Sequence, residues 1–213
     1  MNDYSFIFKV TVFAKEIKMK KNKPKYNQII EAAVEVIAEN GYHASQVSRI
    51  AKKAGVADGT IYLYFNNKED ILISVFEEKM GQFIEKIACG ISKMNNAEEK
   101  LLKLIQMHFH QLSEDPHLAI VTQLELRQSN TDLRLKINQI LKPYLTVIDD
   151  IIVEGTKENI FRDDLNVLLV RQMIFGTLDE IMTNWVMKEQ KYNLAQEALQ
   201  VQSFIINGLS VRE

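Results

Sequence analysis

Cysteine is almost missing from this chain of 213 residues, in which Cys89 stands alone. One thiol excludes an intrachain disulfide framework and fits a reducing cytosol, so the expected location is cytoplasmic. Proline occurs three times and glycine eight times, too few for the turns of an all-β domain. No apolar run reaches the ~18 residues that a membrane span needs, and no membrane partner is expected. The stretch FIFKVTVFA (6–14) is broken by Lys9 and preceded by Asp3, which excludes a secretory signal. Catalytic signatures are missing too: there is no GxGxxG, P-loop, GxSxG or HExxH. The four histidines are His43, His108, His110 and His117. His108 and His110 are two apart and cannot share a helix face, while His117 lies beyond a turn. The expectation is a protein with no catalytic residue, no metal and no cofactor, and not an enzyme.

What remains is a helix-forming composition. Hydrophobic residues make up 46% of the chain, and Leu, Ile, Glu, Lys, Gln and Ala dominate its long stretches, which favours an all-α fold. The net charge of −2 is unevenly divided. From Lys18 to Lys68 nine Lys/Arg face four acids, residues 1–17 cancel, and the remainder carries −7. A basic N-terminal module on an acidic body is the charge pattern of a DNA binder with a separate second function. Met19 opens the basic string MKKNKPKY and is the expected natural start, with residues 1–18 as an N-terminal extension.

Apolar periodicity and stop residues place a first helix from about Pro24 to Asn40, closed by Gly41. Ser45 or Gln46 opens a second, with Val47, Ile50, Ala51 and Ala54 inward, and Gly55 ends it. Asp58 is expected to cap a two-turn third helix, with Ile61 and Phe65 anchoring it to its own core and Tyr62 and Tyr64 flanking it. Asn67 is expected to cap the next helix, with Asp70 reciprocating. Three short helices separated by glycines form a helix-turn-helix layout. Long helices follow over 68–93, 97–113, 116–129, 131–155, 164–188 and 194–209. Asn95 or Asn96 caps the second of these, Pro116 starts the third, and Pro143 should kink the fourth. Asp163 or Asp164 caps the fifth after an exposed loop, TKENIFRD. The domain expectation is therefore an extension over 1–18, a DNA-binding module over 19–68, and a helical body over 69–213.

The run IAKKAGVADGTIYLYFNNKEDIL (Ile50–Leu72) resembles the TetR family of bacterial transcriptional regulators: the IA pair, the AGV turn, GTIY, the aromatic pair and the KED start all keep the family spacing. Further segments, among them EVIAENGYH, KEDILISVFEEKMGQFIE, LAIVTQLELRQSN, RQMIFGT and WVMKEQKY, resemble TetR-type repressors of fatty-acid degradation genes. The resemblance implies a TetR-like all-α fold, a homodimer on a palindromic operator of double-stranded DNA, and release by a long-chain acyl-CoA effector. The alternatives are a TetR-type repressor of an efflux or other operon with a different lipophilic ligand, and a lipid or acyl-CoA carrier without a DNA function.

Carried onto this sequence, the family pattern makes Asp58–Tyr64 the recognition helix. Gly59 and Thr60 lie at its base-reading end. Tyr62, Tyr64 and Lys68 are expected at phosphates, and Ser45, Ser48 and Arg49 on the helix that crosses the backbone. Lys20, Lys21, Lys23 and Lys25 form a candidate basic arm. The last two long helices carry the dimer in this family, and Leu165, Leu168, Leu169, Met173, Leu178, Ile181, Trp185, Leu199, Phe204 and Leu209 supply apolar surface there beyond what one face needs. An acyl chain needs an apolar tunnel, with Phe83, Ile87, Ile105, Phe109, Leu124, Tyr144, Ile148, Met173 and Phe175 as candidate walls. Its CoA end needs cations, for which Arg127, Arg134, Lys136 and Arg171 are the candidates.

Overall fold

The computed structural model describes residues 24–211. The expected start at Met19, the 1–18 extension and three lysines of the basic arm (Lys20, Lys21, Lys23) lie outside the described residues. Within them the chain is helical: α1 Tyr26–Asn40, α2 Val47–Lys53, α3 Asp58–Ile61, α4 Lys68–Ile91, α5 Ala97–Ser113, α6 Pro116–Glu125, α7 Thr131–Lys157, α8 Val167–Met187 and α9 Ala198–Leu209, the last preceded by a 3-10 turn at Leu194–Glu197. The one β-like feature among the described residues is an antiparallel bridge between Phe161 and Ser210.

The described residues pack as two compact units. One comprises residues up to Gln82 together with His117–Leu141; the other comprises Phe83–Pro116 together with Lys142 onward. The division between these packing units falls inside α4 and α7. A continuous helix can contribute its two ends to different cores, and a sequence pattern marks where helices stop, not where cores part.

In the first unit, α1 buries Ile29, Ile30, Ala33, Val34, Val36 and Ile37, the 3.6-residue stripe of the sequence. Gly41 (φ 73°) and Gly55 (φ 66°) take positive φ at the ends of α1 and α2, where a side chain would be strained. Asp58 is not the cap of α3. Ala57 holds that position in extended conformation with no side-chain bond, and Asp58 is the first helical residue, where its charge still suits the helix dipole. The helix is one turn, not two: beyond Ile61 the amides of Leu63, Tyr64 and Phe65 return to Thr60 and Ile61. Asn67 does cap α4, its Oδ1 accepting the Asp70 amide at 2.8 Å. The Asp70 carboxylate reciprocates to the backbone N–H of Asn66, one residue earlier than the capping-box pattern, at 3.1 Å.

In the second unit, Asn96 caps α5 by accepting the Glu99 amide, and Glu99 in turn accepts the Asn95 amide. Asn166 caps α8, in place of the expected Asp163 or Asp164. The segment before it is only partly the expected exposed loop: Lys157, Glu158, Asn159 and Asp163 are exposed, but Ile160 and Arg162 are half-buried. Phe161 is 1% exposed, and its ring occupies the space that a Cβ at Gly155 would need. α7 continues through Pro143; the carbonyl that the missing N–H leaves free belongs to Gln139, an exposed residue, where water can take it.

Candidate nucleic-acid interface and ligand residues

α3 is held from below. Ile61 and Phe65 are 0% and 2% exposed, each contributing about 1.5–3 kcal/mol of burial. Tyr26 of α1 stacks on Phe65 with ring centroids 5.3 Å apart, and burial pushes its phenol up to about 12. The other side of the segment is bare. Asp58, Gly59, Tyr62 and Leu63 are exposed and Thr60 is half-buried. A Cβ at Gly59 would meet no atom within 4 Å, so nothing in the unit's own packing requires glycine there. Tyr64 is half-buried, its ring tilted against Phe65 at 6.4 Å.

Of the α2 residues, Ser48 and Arg49 are exposed, and the Arg49 guanidinium donates to Asn40 Oδ1 at 2.6 Å. Ser45, expected on the helix that crosses the DNA backbone, is held within the protein. It is 2% exposed, and its hydroxyl donates to the carbonyls of Val36 and Gly41, at 3.1 and 2.7 Å, tying the turn to α1. Lys68 is also occupied within the protein. Its ammonium donates to the carbonyls of Tyr42 and His43 at 3.0 Å and of Ser45 at 3.3 Å, and lies 4.6 Å from the centroid of the Tyr42 ring. Neither internal role is legible in the sequence, because a Ser in a turn and a Lys at a helix start look the same whether they face inward or outward. Nor is that of Glu125, which is 9% exposed and whose carboxylate accepts the Tyr42 amide.

The tunnel candidates divide. Leu124, Arg127 and Arg134 belong to the first unit; Leu124 is 49% exposed, and Arg134 donates to the Gln128 carbonyl at 2.9 Å. Lys136, also of the first unit, pairs with Glu69 at 2.7 Å. In the second unit, Phe83, Ile87, Ile105, Phe109, Tyr144 and Ile148 are buried together with His108. Phe83 lies 5.6 Å from Tyr144, and Phe175 meets Tyr144 edge-on at 6.2 Å. Arg171 is paired with Asp149 at 2.8 Å. Met173 stands apart from this cluster: it is 63% exposed and lines a groove of about 820 Å³ together with Leu165, Leu169, Ile181, Val201 and Phe204.

The family model for bacterial regulatory proteins of the tetR family matches residues 29–75, and that for the C-terminal region of YsiA-like proteins matches residues 76–208. The chain belongs to the TetR family. It is a DNA-binding transcriptional regulator rather than an enzyme. The fatty acid metabolism regulator protein of Bacillus subtilis is 60% identical over 191 residues, which cover 90% of this chain and 98% of that protein. Two solved regulators are similar over most of the chain. FadR of Bacillus subtilis, crystallised in complex with stearoyl-CoA, has 61% identity and a TM-score of 0.84 over 86% of this chain and 99% of its own. The fatty acid degradation regulator FadR of Bacillus halodurans has 59% identity and a TM-score of 0.84 over 88% and 100%. Among the described residues, no helix is long and apolar enough to cross a membrane.

Proposed function

We propose that this TetR-family chain is a cytoplasmic, ligand-gated repressor of fatty-acid degradation genes, released from a palindromic operator by long-chain acyl-CoA. The observation that carries the reading is the 60% identity to a fatty acid metabolism regulator. It runs through both the DNA-binding module and the helical body, so reader and sensor are matched together.

The operator contacts are Ser48, Arg49, Gly59, Thr60, Tyr62 and Tyr64; Ser45 and Lys68 shape the turn that presents them. Gly59 lets the backbone approach the groove, Thr60 reads a base edge or phosphate, and Tyr62 sets the height of the segment over the phosphates. The homodimer forms through α8 and α9. Leu168, Leu169, Met173, Leu199 and Phe204 are all more than half exposed, a density of bare apolar side chains that a second copy would cover. Two-fold symmetry then sets the recognition segments about one DNA turn apart, ~34 Å. Acyl-CoA binds preferentially to a form in which that spacing is lost. A switch from 99% bound-competent to 99% released needs a differential affinity of about 5.5 kcal/mol.

The test is a competition on operator DNA. Full-length protein is titrated with acyl-CoA of increasing chain length while DNA binding is followed by fluorescence anisotropy. Long-chain acyl-CoA should release the DNA, and free CoA should not. Release by lipophilic cations without release by acyl-CoA would make this a regulator with another ligand.

A further inference from the structure

One buried polar pair sits inside the apolar core of the second unit. His108 is 4% exposed, and its Nδ1 lies 2.8 Å from the Tyr144 hydroxyl. The rings of Phe83, Phe109 and Tyr144 surround it at 5.5–5.9 Å. The other ring nitrogen, Nε2, is buried and has no hydrogen-bond partner.

The protons can be assigned. Burial lowers the His108 pKa to about 3 and raises that of Tyr144, so both are neutral at physiological pH. If the phenol donates to Nδ1, one group is left unmatched, the Nε2–H. If Nδ1–H donates to the phenol oxygen, two are left: the phenolic proton and the Nε2 lone pair. The first arrangement is the stable one. It leaves a fixed N–H donor among aromatic rings, and a buried donor without an acceptor is costly enough that few proteins keep one unless something meets it.

We infer that His108 Nε2–H is the receptor for the thioester carbonyl oxygen of the acyl ligand. This rests on the acyl-CoA reading above and adds to it the atom that is recognised. The acyl portion of an acyl-CoA contains one acceptor, and it is this oxygen. The rest is hydrocarbon, suited to Phe83, Ile87, Ile105 and Phe109. The site selects a neutral carbonyl over a carboxylate. Asp179, itself 3% exposed, acts on Tyr144 electrostatically, and a second negative charge in this apolar setting would be opposed by it and by desolvation. Tyr144 serves as the positioning residue, since its O–H fixes the tautomer that leaves the donor at Nε2.

The experiment compares palmitoyl-CoA with S-hexadecyl-CoA, a thioether of the same chain length that lacks only the carbonyl oxygen. Binding to the full chain is measured by calorimetry. The wild-type protein should bind the thioester at least tenfold more tightly and should bind palmitate weakly. In His108→Leu the thioester and thioether should bind alike, and His108→Gln should restore part of the preference through its amide N–H. Equal wild-type affinity for thioester and thioether overturns the inference and leaves the acyl-CoA reading standing. Failure of both ligands to bind overturns that reading as well. The wild-type comparison needs no substitution, so it decides the matter even if a core variant does not fold.

Discussion

The carboxylate of Glu125, the last residue of α6, accepts the backbone N–H of Tyr42, the residue after the glycine that ends α1, at 2.8 Å. Gln128 donates to the same carboxylate from one turn further on. A segment 83 residues away in sequence thereby sets the first turn of the helix-turn-helix. Glu125→Ala leaves the Tyr42 amide buried without an acceptor and should destabilise the protein by about 1–3 kcal/mol. It should also weaken operator binding, because the turn that orients α2 is loosened. Glu125→Gln keeps an acceptor oxygen and should recover most of both losses. Urea melts and anisotropy titrations on the two variants check this, and equal effects of Ala and Gln would mean that the bond does not hold the turn.

Gly59 gives a cleaner separation of folding from reading. Because a Cβ there meets nothing within 4 Å, Gly59→Ala should leave stability unchanged or raise it by up to about 1 kcal/mol through helix propensity. Operator affinity should nevertheless fall at least tenfold if the backbone must approach the groove closely. A variant that binds DNA as tightly as the wild type would place Gly59 away from the duplex.

Lys68 and Arg49 are both cations beside the recognition segment, yet they should fail differently. The Lys68 ammonium donates to three backbone carbonyls. Lys68→Met should therefore lower stability by roughly 1–3 kcal/mol and change the salt dependence of DNA binding little. Arg49 is exposed and bound within the protein to Asn40. Arg49→Ala should leave stability nearly intact and reduce the log–log salt slope by about 0.9 if it neutralises one phosphate. Measuring affinity across a salt series for both variants separates the roles.

The exposed apolar side of α8 and α9 predicts a charge-sensitive dimer. Phe204 is 77% exposed, so Phe204→Lys should not disturb the subunit's own core. It should shift the protein toward monomer in sedimentation equilibrium, and operator affinity should drop with it because one subunit reads only half a palindrome. An unchanged dimer with Phe204→Lys would move the interface elsewhere.

Several of these features were legible in the sequence, and the rest were hidden for identifiable reasons. Ile61 and Phe65 announced themselves by four-residue spacing, and both are buried. Asn67 was recognisable as a cap because Asp70 follows three residues on, and the acids Glu98 and Glu99 narrowed the next cap to Asn95 or Asn96, of which Asn96 holds the position. Asp58 misled because an acid suits both the cap and the first helical residue, and the choice depends on the backbone of Ala57. The loop TKENIFRD hid Phe161, since polar neighbours say nothing of a ring that folds back onto Gly155. Ser45, Lys68 and Glu125 bond to backbone, Lys68 and Glu125 over a long stretch of sequence, and backbone partners carry no residue identity to search for. The division within α4 and α7 was invisible for the related reason that continuous periodicity does not record which core each turn faces.

His108 could have been found. It continues the stripe Leu101, Leu104, Ile105, His108 and Leu112, every member of which is buried, and a histidine in such a stripe must be neutral or paired. That burial has a consequence for acid stability. The folded pKa is lowered to about 3 by desolvation, whereas an unfolded histidine titrates near 6.5. Between these values the unfolded chain binds a proton that the folded chain refuses, so stability rises with pH across this window and the contribution is complete above about 6.5. As pH falls below that, the wild type should lose up to about 1.4 kcal/mol per unit from this residue, on top of any carboxylate effects. His108→Gln cannot take up the proton. Its stability measured by urea unfolding from pH 7 to pH 5 should fall less steeply than that of the wild type. Parallel slopes for the two proteins would mean that His108 is protonated in the folded state, and would place it in a wetter setting than its aromatic surroundings provide.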